Sequence, residues 1–451
     1  MSQKQRTGVT FKQYTLKNID EILQLQELTE DQRFELEVVA QVFPFKTNQY
    51  VVDELIDWRN IPQDPIYQLT FPQRGMLSEQ EYTRIAEILR GENASGEELA
   101  KAVNEIRYNL NPHPAGQMEM NVPVLDGERI EGVQHKYDET ALFFPQAGQT
   151  CHAYCTFCFR WAQFVGIDEL RFAAPNMDRF VRYLKQHPVI TDVLITGGDP
   201  MVMNAKMLRK VIEPLLDPAL EHLQNIRIGT KSLAYWPHKY LDDRDAPEVL
   251  ETLAAVVKAG KHLAIMAHFN HHRELDPPIV AEAAQRLQDI GAVIRTQSPL
   301  IRHINDDPKV WQEMWKRQVH LGMVPYYMFV ERDTGARDYF AVPLAEAYEI
   351  YREAIRNVSG LARTARGPSM SATPGKVEIQ GIAEVGNEKF FVLRLIQARN
   401  SDWVQRPFFA RFDPEATWLN HLVPAFGESE QFFDSQLKVG ERAGISGAIR
   451  M

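Results

Sequence analysis

Cysteine is scarce in this chain: only three occur among 451 residues. All three, Cys151, Cys155 and Cys158, lie in one short stretch, a grouping that random placement would produce on the order of one time in a thousand. Three thiols are an odd and small number for a chain of this length, which excludes a disulfide scaffold. The cysteines therefore predict a reducing, cytoplasmic setting, and their grouping requires a chemical explanation.

Other features are absent as well. No stretch approaches 18 consecutive apolar residues, so no membrane span is expected, and the polar N-terminus (residues 1–14) lacks an apolar signal core. The formal net charge is 50 − 60 = −10, which disfavours a bulk nucleic-acid role. No G-x-S-x-G, Walker or dinucleotide-binding motif occurs, so hydrolase, kinase and dehydrogenase functions lack support. The composition, with 44% hydrophobic residues, is that of a globular protein, and a soluble enzyme is the leading expectation.

The first 135 residues predict a mainly helical region with proline-rich connections. Residues 17–42 have helical apolar spacing. Two S-x-x-E sequences, at 78–81 and 95–98, are typical of capping boxes that begin amphipathic helices. We therefore set the first predicted boundary after residue 135.

Short apolar runs alternate with amphipathic segments in the middle of the chain. Continuous apolar strands between helices predict a parallel sheet that is buried on both faces. Six such units fit a complete or partial (β/α) barrel, although a doubly wound sheet has the same local pattern. The predicted barrel core is 136–335, and a C-terminal region with β-like pieces follows at 336–451. The six runs are 141–147, 192–198, 226–230, 262–269, 292–299 and 324–330.

Polar or glycine-rich segments follow the first five of these predicted strands. Ligands bind at the carboxyl ends of the strands in parallel α/β folds, so the segments predict one shared site. They are the cysteine loop, 197–200, 229–232, 268–272, and 297–298 with 305–307.

The cysteine spacing, C-x3-C-x2-C, indicates the kind of metal centre. A zinc site normally needs four ligands, often in two separated pairs, and His152 would be a cramped fourth ligand. Three thiolates on a short loop suit a cubane [4Fe–4S] cluster, in which one iron stays open to bind and reduce something. The alternative is three buried structural cysteines, which need no such grouping.

The sequence C-H-A-Y-C-T-F-C, which begins at Cys151, resembles the C-x3-C-x-φ-C motif of the radical S-adenosylmethionine (SAM) superfamily, with Phe157 as the aromatic φ. The resemblance implies a full or partial (β/α) barrel and a cluster whose open iron chelates SAM. Reductive cleavage of SAM then gives a 5′-deoxyadenosyl radical that abstracts hydrogen from the substrate. The resemblance also implies that Gly197, Gly198 and Asp199, in the G-G-D-P segment after the second strand, bind SAM.

Over residues 58–380 the chain resembles, more narrowly, the lysine 2,3-aminomutase family. That family uses pyridoxal 5′-phosphate (PLP) beside SAM to move an α-amino group to the β-carbon. The resemblance implies an amino-acid substrate and a flavodoxin- or ferredoxin-type electron donor, and it suggests a homo-oligomer. The matching stretches are DPIYQLTFPQ, CFR from Cys158, DVLITGGDP, IRIGT, HFNHHREL, TQSPLIRHINDDP and VPYYMF.

Three residues receive roles from this resemblance. Lys376, in the turn S-A-T-P-G-K, corresponds to the lysine that forms a Schiff base with PLP. Arg160 corresponds to the arginine that binds the substrate carboxylate, and Asp306 to an aspartate that pairs with the ε-ammonium of lysine. Without the family, these residues would be interpreted as a surface lysine in a turn, a surface arginine and a helix cap.

The chain departs from the family pattern in two places. Residues 137–140, Y-D-E-T, lack the arginine that the family has before the first strand to support the PLP phosphate. Residues 370–374, M-S-A-T-P, lack the family's second lysine-recognising aspartate, and the glycine turn is shorter. These departures leave open a radical SAM enzyme that acts on another substrate without PLP. A non-catalytic iron–sulfur protein is a third interpretation.

Overall fold

One large sheet organises the chain in the computed structural model, whose described residues are 9–91 and 95–442, with side chains up to residue 438. Residues 1–8 of the polar N-terminal segment lie outside the described residues. Two small strand pairs are separate from the sheet: β1 (Gln13–Tyr14) with β2 (Thr47–Asn48), and β3 (Val124–Leu125) with β4 (Glu128–Arg129). The strands of the sheet are β5 (Val133–Tyr137), β6 (Thr140–Phe143), β7 (Asp192–Ile195), β8 (Asn225–Thr230), β9 (His262–His268), β10 (Val293–Leu300), β11 (Val324–Val330), β12 (Arg366–Ser371), β13 (Gly375–Val385), β14 (Glu388–Ala398) and β15 (Pro407–Arg411).

Parallel pairing joins β6 to β12 in chain order. Antiparallel strands flank this core, with β5 on one side and β13, β14 and β15 on the other. All six apolar runs that the sequence predicts as strands are confirmed. The fold class is therefore α/β with a large, mostly parallel sheet, as the strand–helix alternation predicts.

The sheet curls so that distant strands approach each other. Lys136 on β5 donates a hydrogen bond from Nζ to the carbonyl oxygen of Ala372, which follows β12, seven strands away. Within the described residues, no backbone ladder joins the two edge strands, β5 and β15. The architecture is that of a partial (β/α) barrel.

Helices separate the parallel strands and cover the sheet. In α8, for example, Val249, Leu253 and Val256 are fully buried, at the spacing that gives a helix one apolar face. None of the helices in the described ranges is long and apolar enough to cross a membrane. The helices are α1 (Glu30–Val42), α2 (Pro65–Thr70), α3 (Glu79–Arg90), α4 (Gly96–Asn109), α5 (Asp178–Gln186), α6 (Ala205–Ile212), α7 (Ser232–Tyr235), α8 (Ala246–Lys258), α9 (Pro278–Asp289), α10 (Pro308–His320), α11 (Arg337–Phe340), α12 (Leu344–Arg356) and α13 (Asp434–Arg442).

The N-terminal region is less helical than its sequence predicts. The helix predicted over 17–42 is confirmed only as α1. Ile22 has an extended backbone, with φ −81° and ψ 98°, and it separates two short 3₁₀ turns. Thr29 then begins a new helix, because its side chain accepts the N–H of Gln32.

The two predicted capping boxes differ. Ser78 and Glu81 bond each other reciprocally at the start of α3, so this box is confirmed. At the start of α4, Ser95 accepts the N–H of Glu98, which is one half of the predicted pair.

The C-terminal region extends the sheet with antiparallel strands. β13 and β14 form a long hairpin that β15 continues, and the β-like pieces predicted after residue 376 are confirmed. Because β12 pairs with both β11 and β13, the sheet runs without a break across the predicted boundary at 335/336. The three-region division of the chain stays a prediction.

Candidate active site

A cavity of about 320 Å³ lies at the carboxyl ends of the parallel strands. This is where ligands bind in such sheets, and the volume is in the range of small-molecule sites. Of the ten residues that the sequence predicts for the site, nine line this cavity. They are Cys151, Cys155, Phe157, Cys158, Arg160, Gly197, Gly198, Asp199 and Lys376.

The N-terminal region holds the cysteine loop in place. The Tyr154 N–H donates to the carbonyl oxygen of Lys46 at 2.8 Å, and the Thr156 N–H donates to that of Leu69 at 3.0 Å. The Thr156 hydroxyl also donates to the Gln68 carbonyl oxygen at 2.7 Å. Chain segments some 90 to 110 positions away thus fix the loop, a role that the sequence of the N-terminal region does not indicate.

Burial changes the chemistry of the three thiols. It raises the pKa of Cys151 well above the ordinary value, that of Cys155 to about 11 and that of Cys158 to about 12. Without a ligand these groups are therefore neutral, whereas the form that binds iron is the thiolate.

A cation near each thiol opposes this effect. Each cation lowers the pKa of its cysteine and would stabilise a thiolate bound to metal. The pairs are Lys46 with Cys151, Lys231 with Cys155 and Arg160 with Cys158. This donor set fits an anionic iron–sulfur cluster.

No three His, Cys, Asp or Glu side chains in the described ranges are arranged around a single metal ion. The cysteines of a cubane cluster bind three different irons, so they need not converge on one point. Of the neighbouring histidines, His271 caps the turn that follows it, because its ring accepts the N–H of Arg273.

The G-G-D-P segment packs directly against the cysteine loop. A Cβ at Gly198 would lie 2.6 Å from the Thr150 nitrogen, and Gly197 has a φ of +144°, which side chains rarely tolerate. The Asp199 N–H donates to the Thr150 oxygen at 2.7 Å. The two glycines therefore allow two loops of the site to touch, a physical reason for glycine in addition to the predicted contact with SAM.

Asp199 is buried and its carboxylate is already bonded within the protein. It accepts the Thr230 hydroxyl at 2.6 Å and the N–H groups of Met201 and Lys231, each at 2.9 Å. These bonds tie the end of β7 to the end of β8. In this structure Asp199 organises the cavity wall, and a direct contact with SAM stays a prediction.

Two buried imidazole nitrogens in the cavity wall have no hydrogen-bond partner among the described residues. They are Nδ1 of His152 and Nε2 of His268. Buried polar atoms are normally bonded, so these two indicate room for a polar ligand. The ring of Phe157, the aromatic position of the motif, lies 5.8 Å from that of His268.

Lys376 is the second residue of β13 and lines the same cavity as the cysteines. Its Nζ donates to Gln397 Oε1 at 2.5 Å and lies 4.8 Å from the ring centre of Tyr327. Burial, reinforced by arginines that include Arg227, lowers the pKa of Lys376 to about 7. A lysine that is neutral near pH 7 can act as a nucleophile toward an aldehyde.

Further cations surround Lys376. Lys136 lines the same cavity, and burial, with Arg399 and Arg332, lowers its pKa well below the ordinary value. Arg227 also lines the cavity and is bonded to Asp192 at 2.7 Å. The chain lacks an arginine at 137–140, but the fold brings other cations to this end, as a phosphate site requires. The sequence motifs did not identify these residues.

Two arginines contact one aromatic ring in the middle of the cavity. The guanidinium carbon of Arg160 lies 4.9 Å from the ring centre of Phe159, and that of Arg332 lies 4.4 Å from it. Arg332 follows β11 and was not among the predicted site residues. The polar residues after the sixth strand, E-R-D at 331–333, could have drawn attention to it.

Asp306 is the predicted site residue that the structure does not bring to the cavity. It lies 3.4 Å from Arg302, which makes a bidentate pair with Glu346 at 2.7 and 2.8 Å. Its neighbour Asn305 is buried and holds the loop by bonding two carbonyl oxygens. The cap of α10 is Asp307, whose side chain accepts the Lys309 N–H, and not Asp306.

Several known proteins are similar in sequence to this chain. A protein of Aquifex aeolicus, provisionally named L-lysine 2,3-aminomutase, is 31% identical over 415 residues, which cover 92% of this chain and 96% of that protein. The L-lysine 2,3-aminomutase of Bacillus subtilis is 22% identical, over 81% of this chain and 67% of that enzyme. The enzyme of the same name from Fusobacterium nucleatum is 28% identical, over 52% of this chain and 51% of its own length.

Solved structures give more distant matches. Streptococcus suis SuiB bound to S-adenosylmethionine matches at 13% identity with a TM-score of 0.34, over 60% of this chain and 56% of that chain. The radical S-adenosylmethionine methyltransferase TsrM of Kitasatospora setae matches at 11% identity with a TM-score of 0.28, over 42% and 36% of the two chains. No protein-family model matches the chain.

Proposed function

This chain belongs to the lysine 2,3-aminomutase family of radical SAM enzymes, and we propose that it moves the α-amino group of an amino acid to the β-carbon with the help of PLP. The observation that carries the proposal is the position of Lys376. It lies in the same cavity as the three cysteines, with a pKa lowered by burial to about 7. A nucleophilic lysine and a cluster-binding loop that share one cavity are what such chemistry needs.

When bound, a [4Fe–4S] cluster and SAM supply a carbon radical, and PLP holds the substrate amine while it migrates. Cys151, Cys155 and Cys158 would hold the cluster. Gly197, Gly198 and the unpartnered nitrogens of the cavity wall would line the SAM site. The reducing electron would come from a flavodoxin- or ferredoxin-type protein.

Lys376 would hold PLP and exchange it for the substrate amine. Its neutral form attacks, and Gln397 Oε1, which accepts its hydrogen bond at 2.5 Å, orients it. Lys136 and Arg227 line the cavity and would contact the phosphate, whose negative charge would favour the protonated form of Lys136. Aromatic side chains such as Tyr327 line the cavity and would help to keep water away from a radical.

Arg160 would orient the substrate through its α-carboxylate. Its guanidinium lies 4.4 Å from the Phe144 ring centre and 4.9 Å from that of Phe159, so its direction is fixed by packing. It also lowers the pKa of Cys158, which indicates that it lies near the cluster. An arginine that lines the same cavity as the cysteines and Lys376 supports a substrate whose reacting carbons face the radical source.

The proposal is tested by Lys376→Ala, with Lys389→Ala as the control, because Lys389 is an exposed lysine of the neighbouring strand. The anaerobically reconstituted protein is treated with PLP and borohydride, and peptides are analysed by mass spectrometry. We expect the reduced PLP adduct at Lys376 in the wild type and in Lys389→Ala, and no adduct at that peptide in Lys376→Ala.

A second measurement separates the alternatives. With SAM, a reductant and α-amino acids, we expect the wild type to form 5′-deoxyadenosine and a β-amino isomer. Deoxyadenosine without a PLP adduct would instead support a radical SAM enzyme that does not use PLP. An iron–sulfur protein that forms no deoxyadenosine would contradict the proposal entirely.

A further inference from the structure

The most unusual charge arrangement in the cavity is the pair of arginines on one ring. Arg160 and Arg332 both contact Phe159, at 4.9 and 4.4 Å from its centre. Burial lowers the pKa of both guanidinium groups, and the charge of Arg332 lowers that of Arg160 further. An anion beside the two groups would offset the cost of burying them.

The described residues do not supply that anion. Neither guanidinium makes a hydrogen bond or an ion pair with any side chain in the described ranges, although both line the cavity. Glu331 and Asp333 flank Arg332 in the chain and act on its charge, but neither is hydrogen-bonded to its guanidinium, and burial raises the pKa of both carboxyl groups. Both arginines therefore face the cavity without a bonded acidic side chain, and the acids that act on Arg160 are the cysteines of the cluster loop.

The two carboxyl groups that line the cavity, those of Asp199 and Glu331, are by contrast poor partners for a substrate ammonium. The Asp199 carboxylate is used by three hydrogen bonds within the protein. Asp306 lies outside the cavity beside Arg302. A cationic side chain would lose its hydration next to two guanidinium groups, which costs affinity.

We propose that the substrate is an acidic α-amino acid, with Arg160 binding its α-carboxylate and Arg332 binding the carboxylate of its side chain. This inference rests on the proposed function and specifies its substrate class. Arg160 is the arginine closer to the cluster, since it acts on the pKa of Cys158. Arg332 is the one closer to the PLP end, since it lowers the pKa of both Lys136 and Lys376.

Arg332 is therefore the specificity-determining residue. The phosphate of PLP is the other anion that it could hold, but Lys136 and Arg227 already line the cavity near Lys376. Planar guanidinium forks match carboxylates in a bidentate way, and a site built for a carboxylate discriminates strongly against the uncharged amide.

The test uses the reconstituted holoprotein with SAM but without reductant, so that binding is measured apart from turnover. L-glutamate, L-aspartate, L-glutamine, L-asparagine and L-lysine are titrated, and the change in PLP absorbance gives each affinity. We expect one acidic amino acid to bind about tenfold or more tightly than its amide and than lysine. In Arg332→Gln the acid and its amide should bind within about twofold of each other, while PLP content stays unchanged.

Two further variants support the interpretation. Arg332→Lys keeps the charge and should retain part of the preference, while losing the bidentate fork. Arg337→Gln changes an exposed arginine five positions away and should leave all affinities unchanged.

Three results would overturn the inference. The first is equal affinity of the wild type for acid and amide. The second is a loss of PLP from Arg332→Gln, which would assign this residue to the phosphate. The third is an equal loss of affinity for all amino acids in Arg332→Gln, which would make Arg332 a second ligand of the α-carboxylate. A protein without any PLP adduct refutes the proposed function instead, and calorimetric titration with glutamate and glutamine still tests the arginine pair.

Discussion

The two ends of the cavity are built in different ways. At the cluster end, the three cysteines come from one short loop, and distant backbone groups such as Lys46 and Leu69 hold that loop in place. At the end that is proposed to bind PLP (the PLP end), Lys136 comes from β5 and Lys376 from β13, and they meet because the sheet curls.

This difference determines which end a sequence motif can describe. The C-x3-C-x2-C motif predicts the cluster end because the spacing of the cysteines alone identifies the three ligands. The PLP end depends on strands that are adjacent only after folding, so its cations are scattered along the chain. If the two ends are independent, a substitution that prevents cofactor binding at one end should leave cofactor binding at the other end unchanged.

The largest expected effect is at the cluster end. Replacing Cys151, Cys155 or Cys158 by Ser removes a thiolate that one iron requires. We expect loss of iron and sulfide and loss of 5′-deoxyadenosine formation, with the PLP adduct at Lys376 retained. Iron and sulfide analysis and peptide mass spectrometry measure the two ends separately. Full iron content in all three variants would show that the cysteines are structural.

The next effect concerns pH and the PLP end. We propose that Lys376 attacks PLP as the neutral amine, and burial lowers its pKa from 10.5 to about 7. Neutral lysine therefore predominates above about pH 7, and its fraction falls about tenfold for each pH unit below that value. Stopped-flow measurement of PLP capture should show a plateau above about pH 7 and a steep fall below it. A rate that keeps rising toward pH 10 would mean that Lys376 behaves as an ordinary exposed lysine.

A smaller effect is expected where the cluster end meets the wall of the cavity. A Cβ at Gly198 would overlap the Thr150 backbone, so Gly198→Ala must move the G-G-D-P segment away from the cysteine loop. We expect about tenfold slower deoxyadenosine formation, because small displacements of positioning groups are costly, and an unchanged PLP adduct. Gly360→Ala is the matched control, since a Cβ there meets nothing within 4 Å. Equal behaviour of the two variants would show that the close approach is unimportant.

The sequence described the sheet better than it described the site. Six strands and the helices between them followed from hydrophobic alternation, because parallel strands buried on both faces are nearly continuous apolar runs. The 17–42 prediction was wrong in its first half, since the apolar spacing continues through Ile22, where the backbone turns extended. Arg332 was missed because, in the sequence, an arginine after a strand cannot be distinguished from a surface arginine. Its contact with Phe159 is visible only in the folded structure.

The smallest expected effect concerns Asp306, which lies outside the cavity. Family resemblance assigns substrate recognition to Asp306, whereas in this structure Asp306 is paired with Arg302 and its side chain is 28% exposed. Partly exposed ion pairs contribute little, so Asp306→Asn should change the affinity for any amino acid by about twofold at most. The same titration that is used for Arg332→Gln measures it. If Asp306→Asn abolished binding of lysine while the acidic amino acids bound weakly, recognition of the side chain would belong to the loop after β10, and the two arginines on Phe159 would need another anion.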